Sequence, residues 1–279
     1  MIKNLIQNEA KKTLHKKRTY ISFILITILI PFIVAAIDDG GKTLELKIYG
    51  QLADSFLFYG SVINGYLSTY IIIAILISHM PFLSTIVASE IVSGEYSKGT
   101  FRMYLTRPVS RNKILMSKLI IVLLYTTIMM FFFFTYTLLV SFLWLGGGDL
   151  AVFHNGLLLL AEDDVLWRFA LAFILSNFVM LSVSCLCFLI STVSRNSVTP
   201  IIITISIVFI GTAVAFIPIP IFEKVNPFLF TGYIDIFLTA FHDPLPLNKY
   251  YNLFFITSFW SLLFIIISFK SFKNKDILH

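Results

Sequence analysis

Five groups of residues have the types and spacing to do chemistry. Asp38–Thr43 reads DDGGKT, the close of a phosphate-binding loop in which glycine N–H groups and a lysine cradle a nucleotide. That pattern needs glycine where Ala36 stands and a buried strand where an apolar run of membrane length stands, so nucleotide binding here is not expected. His79-Met80 joins an imidazole to a thioether, a donor pair that suits copper. Adjacent helical residues diverge by about 100°, so His79 is expected to face the helix bundle, bonded to a neighbouring carbonyl. As a polar residue inside a span it is also a candidate for a transport pathway. Asn177 reads in the same way, with an interhelical hydrogen bond as the first expectation and substrate contact as the second. Asp149 and Glu162-Asp163-Asp164 could serve as acid and base or hold calcium, but they follow no ligand spacing, and a solvated loop is expected. Cys185 and Cys187, two residues apart, point to opposite sides of a helix, which disfavours a disulfide or a shared metal. No catalytic residue, bound cofactor or metal site is expected in this chain.

These residues must be positioned by elements built for lipid. Of 279 residues 58% are hydrophobic and 13% charged, where a soluble domain carries about 25% charged; mean hydropathy is +0.89. Crossing the hydrocarbon takes roughly 20 apolar residues. Six runs meet or approach that length: Tyr20–Ile37, Gly65–Val87, Leu119–Leu145, Phe169–Ile190, Val198–Ile217 and Leu253–Phe269. Pro31 and Pro81 are expected to bend their spans. The fold class is an all-α polytopic membrane protein with one transmembrane domain over residues 1–279. The basic start and Val34-Ala35-Ala36 imitate a signal peptide, but the run is too long, and retention is expected. Residues 2–14 read as an amphipathic segment on the membrane surface, with Ile2, Leu5, Ile6 and Leu14 toward lipid and the lysines toward headgroups.

Charge sets the orientation. Sixteen basic residues fall in the N-terminal segment, the 88–118 loop, the 191–197 loop and the tail, against five in the alternate loops. Both termini are therefore expected in the cytoplasm. Eleven of the fifteen acidic residues lie on the other side. Positive-inside sorting accounts for the net charge of +6, so nucleic acid is not an expected partner. Outside, Phe228–Phe241 is too apolar for a solvated loop and too short to span, and is expected to form one or two helices that dip into the outer leaflet or pack over the bundle.

The most polar connected stretch, Glu95–Lys113, reads EYSKGTFRMYLTRPVSRNK. Phe101, Tyr104 and Leu105 stand at i, i+3 and i+4, predicting a short amphipathic helix. Arg107-Pro108 ends it, and Ser110 can cap the next helix. The run Glu90, Glu95, Gly99-Thr100, Leu105, Arg107-Pro108, Ser110-Arg111 and Lys118, with the six spans, resembles the membrane subunits of ABC-2 type transporters. The resemblance implies that the loop between spans 2 and 3 carries a coupling helix that docks on a separate ATP-binding subunit. Glu90, Glu95, Gly99, Thr100, Phe101, Tyr104, Leu105, Arg107, Pro108 and Arg111 are its candidate coupling residues. Arg195, in the loop after span 4, supplies a second contact. It further implies an exporter in a bacterial inner membrane, a second permease copy or related permease, contact with membrane lipid, and ATP and Mg on the partner. An ion-driven secondary carrier is the rival, but it is expected to place ionisable residues within its spans, where only His79 is central. A non-transporting assembly factor of the same fold is the other alternative.

Overall fold

In a bilayer an apolar run has few ways to satisfy its backbone, and the helix is the simplest. The computed structural model describes residues 2–52, 63–97, 99, 110–153 and 157–274. Among these, six helical stretches are long and apolar enough to cross a membrane. The order is α1 (Ile2–Leu14), α2 (Arg18–Leu52), α3 (Gly65–Leu76), a 3-10 turn (Ile77–His79), α4 (Met80–Ser97), α5 (Arg111–Leu145), strands β1 (Leu150–Phe153) and β2 (Leu157–Leu160), α6 (Glu162–Val193), α7 (Val198–Phe216), α8 (Pro220–Val225), 3-10 segments at Asn226–Phe228 and Phe230–Phe241, and α9 (Leu247–Asn274). The α3 and α4 pair makes the second span.

Several spans outrun the apolar runs that announce them. α5 has 35 residues, about 53 Å at 1.5 Å per residue, against roughly 30 Å of hydrocarbon. Its first turns, and the last of α4 as far as Ser97, continue beyond the lipid-length core as helix. α2 likewise continues through Asp38–Thr43, where Lys42 Nζ donates to Asp38 Oδ2 at 2.7 Å. DDGGKT is thus a turn of helix, not a phosphate-cradling loop. The described residues are nearly all helical, as expected, with one addition, an antiparallel hairpin pairing Leu150 with Leu160 and Phe153 with Leu157. Asn155-Gly156, a hairpin dipeptide between two short apolar runs, is the overlooked signal.

Pro81 changes the hydrogen bonding of its span by a specific route. It has no N–H for the carbonyl of Ile77, so Met80 N–H takes that oxygen in a tighter 3-10 turn. α6 is the most buried of the six spans and packs on α4, α5, α7, α9 and the Phe230–Phe241 segment. That segment buries Phe230, Tyr233, Phe237 and Phe241. Arg168 of α6 pins its end, donating to Ala240 O at 3.1 Å and His242 O at 2.8 Å. Gly211 of α7 admits Thr231 of the same segment, whose Oγ1 would lie 2.2 Å from a Cβ at that position.

Both ends of the bundle are stitched. At one, Asn64 caps α3, its Oδ1 accepting from Leu67 N at 2.9 Å, while its Nδ2 donates to Asp149 O at 2.6 Å. At the other, the start of α5 meets the end of α9, with Arg111 Nη1 donating to Lys273 O at 3.4 Å. α1 lies at this same end, joined through Lys12 to Glu95 near the end of α4. The helix α1 and the end of α9 therefore share one end of the bundle.

Gly65 is where α3 meets α5 most closely. A Cβ there would lie 2.7 Å from Gly146 O, Phe142 Cα and Ser141 O, all backbone. Gly65→Ala should destabilise the protein by about 1–3 kcal/mol, read as a lower unfolding temperature in detergent. Gly40→Ala, with nothing within 4 Å of the added carbon, should leave it unchanged or raise it.

A buried charge cluster at the roots of the 98–109 connection

Lys118 stands two turns into α5 with its side chain fully buried. Its ammonium donates hydrogen bonds to two oxygens and is ion-paired with a third. Glu9 Oε2 of α1 lies at 2.8 Å, Glu95 Oε2 of α4 at 2.9 Å and Ile91 O of α4 at 3.1 Å. Lys12 of α1 also reaches Glu95. A few ångströms along, Glu90 faces Lys16 at 3.5 Å and Arg18 at 3.6 Å. Three helices and the elbow between α1 and α2 thus meet in one network of opposite charges.

Local sequence explains the geometry. Glu9, Lys12, Thr13 and Lys16 follow one another at helical spacing, so α1 presents a polar stripe to the bundle, with Glu9 and Thr13 buried. Of the four residues expected to face lipid, Ile2 and Leu14 are exposed, but Leu5 and Ile6 are half-buried, and the face turned to the bundle carries Ile6 and Ala10 beside Glu9 and Thr13. Lys16, counted from sequence only as a basic residue of the N-terminal segment, is a partner of Glu90. Lys118, counted from sequence as a loop charge, is instead a core residue. The elbow is fixed by Thr19 Oγ1 donating to Thr13 O at 2.6 Å. Ser22 and Tyr125 extend the join, with their hydroxyls 2.7 Å apart and Ser22 Oγ donating to Leu83 O at 3.2 Å.

The network stands at both roots of the 98–109 connection. Glu95 is just ahead of it and Lys118 is two turns behind it. Gly99 ends α4 in the left-handed region at φ 65 and donates to Tyr96 O at 3.1 Å. Gly94, inside the helix, is a close-packing position: a Cβ would meet Glu90 Cγ at 2.6 Å. The end of α6 is fastened alongside, for Ser191 Oγ donates to Ser89 O at 2.6 Å and accepts from Ser93 N at 3.1 Å. Arg195 follows on the exposed turn to α7.

The structure therefore brings Glu90 and Glu95 together, sets Gly99 and Arg111 at the ends of the connection, and places Arg195 on a neighbouring turn. Thr100, Phe101, Tyr104, Leu105, Arg107 and Pro108 lie outside the described residues. His79 differs from expectation. It is exposed and bonds its own helix, Nδ1 lying 3.2 Å from Ile75 O, so it does not face the bundle. Asn177 Oδ1 is buried and makes no hydrogen bond among the described residues, so the expected interhelical bond through that oxygen is absent there. Sequence reasoning missed Glu9, Lys12, Lys16, Arg18 and Lys118 as a set. A signal existed: only Glu9, Glu90, Glu95 and Asp276 are acidic on the basic side of the topology, and the first three carry the network.

Removing one member of a buried ion pair costs about 3–5 kcal/mol because its partner keeps a buried charge. Lys118→Met should destabilise the protein by that order. Adding Glu9→Gln should recover a substantial part of the loss. Thermal unfolding of both single variants and the double variant checks the coupling. Simple additivity would mean that the two groups do not interact.

The sequence matches the model of a family described as ABC-2 family transporter protein over residues 5–211. It is also similar to the uncharacterized protein YhcI of Bacillus subtilis (strain 168), 29% identical over 202 residues, covering 69% of this chain and 63% of that protein. The matched stretch takes in α1, the charge network and five of the six spans.

Proposed function

The chain belongs to the ABC-2 transporter family, and on that premise we propose that it is the permease subunit of an ATP-driven exporter. It forms the membrane pathway beside a second permease, and a separate subunit binds ATP and Mg. The observation that carries this reading is the network of Lys118, Glu9, Glu95 and Lys12. A force applied to the 98–109 connection reaches α4 through Glu95 and α5 through Lys118. It reaches α1 at the same moment through Glu9 and Lys12. The exposed turn with Arg195 lies next to it, because Ser197 approaches Gly94. A partner pressing on that end would meet both. The positive-inside rule makes it the cytoplasmic end, where ATP is available.

The pathway side is supported by the second span. Ile75, Ser78, His79 and Phe82 form an exposed stripe at helical spacing, close to the middle of a 33-residue span. Phe82 meets Phe209 of α7, with ring centroids 5.6 Å apart, so the stripe runs beside α7. An ionisable side chain at that depth is costly against lipid. A second permease, or water held between two permeases, is the environment that suits it. The Phe230–Phe241 segment, packed on α6 and α7, closes the outer end of the same face.

Coupling is tested by copurifying the ATP-binding subunit and measuring ATP hydrolysis in lipid. Tyr104→Ala and Leu105→Ala would each remove apolar contact worth ~1.5–3 kcal/mol. That is roughly a ten- to hundredfold loss of partner affinity. Glu90→Ala should lower turnover more than assembly. Lys249→Ala, at the far end of α9, should change neither. Wild-type assembly and hydrolysis in both Tyr104 and Leu105 variants, at normal expression, would refute the coupling assignment.

A further inference from the structure

Two apolar grooves of nearly equal size open on the sides of the bundle, and their rims carry opposite charge. One, of about 350 Å³, lies between α5 and α6 and is lined by Phe131, Leu138, Leu166, Phe169 and Phe173. The first turn of α6 beside it is Glu162-Asp163-Asp164. The other, of about 330 Å³, lies between α1, α2 and α5 at the end that holds α1. Leu14, Tyr20, Phe23, Leu124, Tyr125 and Ile128 line it. It starts beneath α1 and follows α5 from Ile121 to Ile128, about 10 Å at helical rise. Leu14, Tyr20, Leu124 and Ile128 are exposed, so it is open sideways to lipid.

The elbow His15-Lys16-Lys17-Arg18 stands between two of the lining residues, Leu14 and Thr19. The groove therefore ends beside a cationic elbow; the Arg18 side chain itself is turned to the neighbouring flank, where it lines a small pocket with Lys16 and Glu90. Lys17 is exposed there, and the Arg18 side chain is 65% exposed. An acyl-sized slot that runs into the membrane from a cluster of cations matches one ligand chemistry: a chain with an anionic head at the interface. We propose that this groove binds an acyl chain of an anionic phospholipid from the leaflet on the side of α1, with its phosphate held by Lys17 and Arg18.

This site is independent of what the protein transports, but it touches the charge network. Arg18 lies 3.6 Å from Glu90 Oε2, so the lipid phosphate and Glu90 share one guanidinium. Binding of the lipid draws Arg18 toward the headgroup and leaves Glu90 to Lys16.

The test uses the purified full chain in phosphatidylcholine vesicles carrying a tracer with a photoactivatable acyl chain. The tracer is either phosphatidylglycerol or phosphatidylcholine, and the labelled peptides are mapped by mass spectrometry. Each cation near an anionic headgroup favours it roughly fivefold. Phosphatidylglycerol should therefore label residues 10–23 and 119–128 at least about fivefold more than phosphatidylcholine does. Residues 131–139 and 166–173, in the groove with the acidic rim, should show no such preference and serve as the internal control. Lys17→Gln with Arg18→Gln should erase the preference, and Lys17→Arg should keep it. Equal labelling of the elbow groove by the two lipids would reduce it to unselective lipid contact and overturn the proposal. So would a preference that survives the double glutamine variant.

Discussion

An ammonium group with no exposed surface dictates much of what surrounds it. Transferring it from water costs several kcal/mol, which only close and correctly placed acceptors offset. Lys118 meets that condition with hydrogen bonds to one oxygen of α1 and one of α4 and with an ion-pair contact to the Glu95 carboxylate of α4. Each partner fixes an element: Glu9 sets the height of α1 along α5, and Glu95 with Ile91 O sets the register of α4 against α5. Replacing such a cluster by well-packed apolar side chains is often neutral or stabilising. Stability alone therefore gives no reason for charges here. What they supply is register, since a one-residue slip of any of the three helices would strand a charge in the interior.

That register matters because of where the cluster sits. It holds the two roots of the 98–109 connection at a fixed spacing, next to a seam in which Ser191 is bonded to Ser89 and Ser93. Farther along the same span lie the 3-10 turn forced by Pro81 and the exposed His79. One continuous helical path, Ser97 back to Gly65, thus links the end that would face an ATP-binding subunit to a polar stripe at membrane depth. The tight turn in its middle is its most deformable point, because 3-10 hydrogen bonds are poorer than those of an α-helix.

The spans were legible because hydropathy and length answer to one strong constraint, the thickness of the hydrocarbon. Their ends were not. Polar residues such as Ser93 to Ser97 and Asp38 to Lys42 stop an apolar window without stopping a helix, which continues until something like Gly99 ends it. The hairpin at Leu150–Leu160 was hidden by its uniform apolarity, although Asn155-Gly156 marked a turn. The charge network was the least legible part. Its partners are 83 and 109 residues apart in sequence, and a count of lysines for topology treats Lys16 and Lys118 as interchangeable surface charges. The few glutamates on a basic side were the better guide, since each is an exception to the sorting that places the rest. For His79 the reading of direction failed: helical spacing gives a face, but the sequence of one span does not say which neighbour covers it.

The central claim is that the network holds α1, α4 and α5 as one body. It is tested by pulsed electron–electron resonance between nitroxides at Gln7→Cys on α1 and Asn112→Cys on α5, both exposed positions. The native Cys185 and Cys187 are buried and should label poorly. The account predicts a single narrow distance distribution, equally narrow with and without ATP on the partner subunit, that broadens when Lys118→Met is added. A broad distribution in the wild-type background, or a narrow one that Lys118→Met leaves untouched, would contradict it.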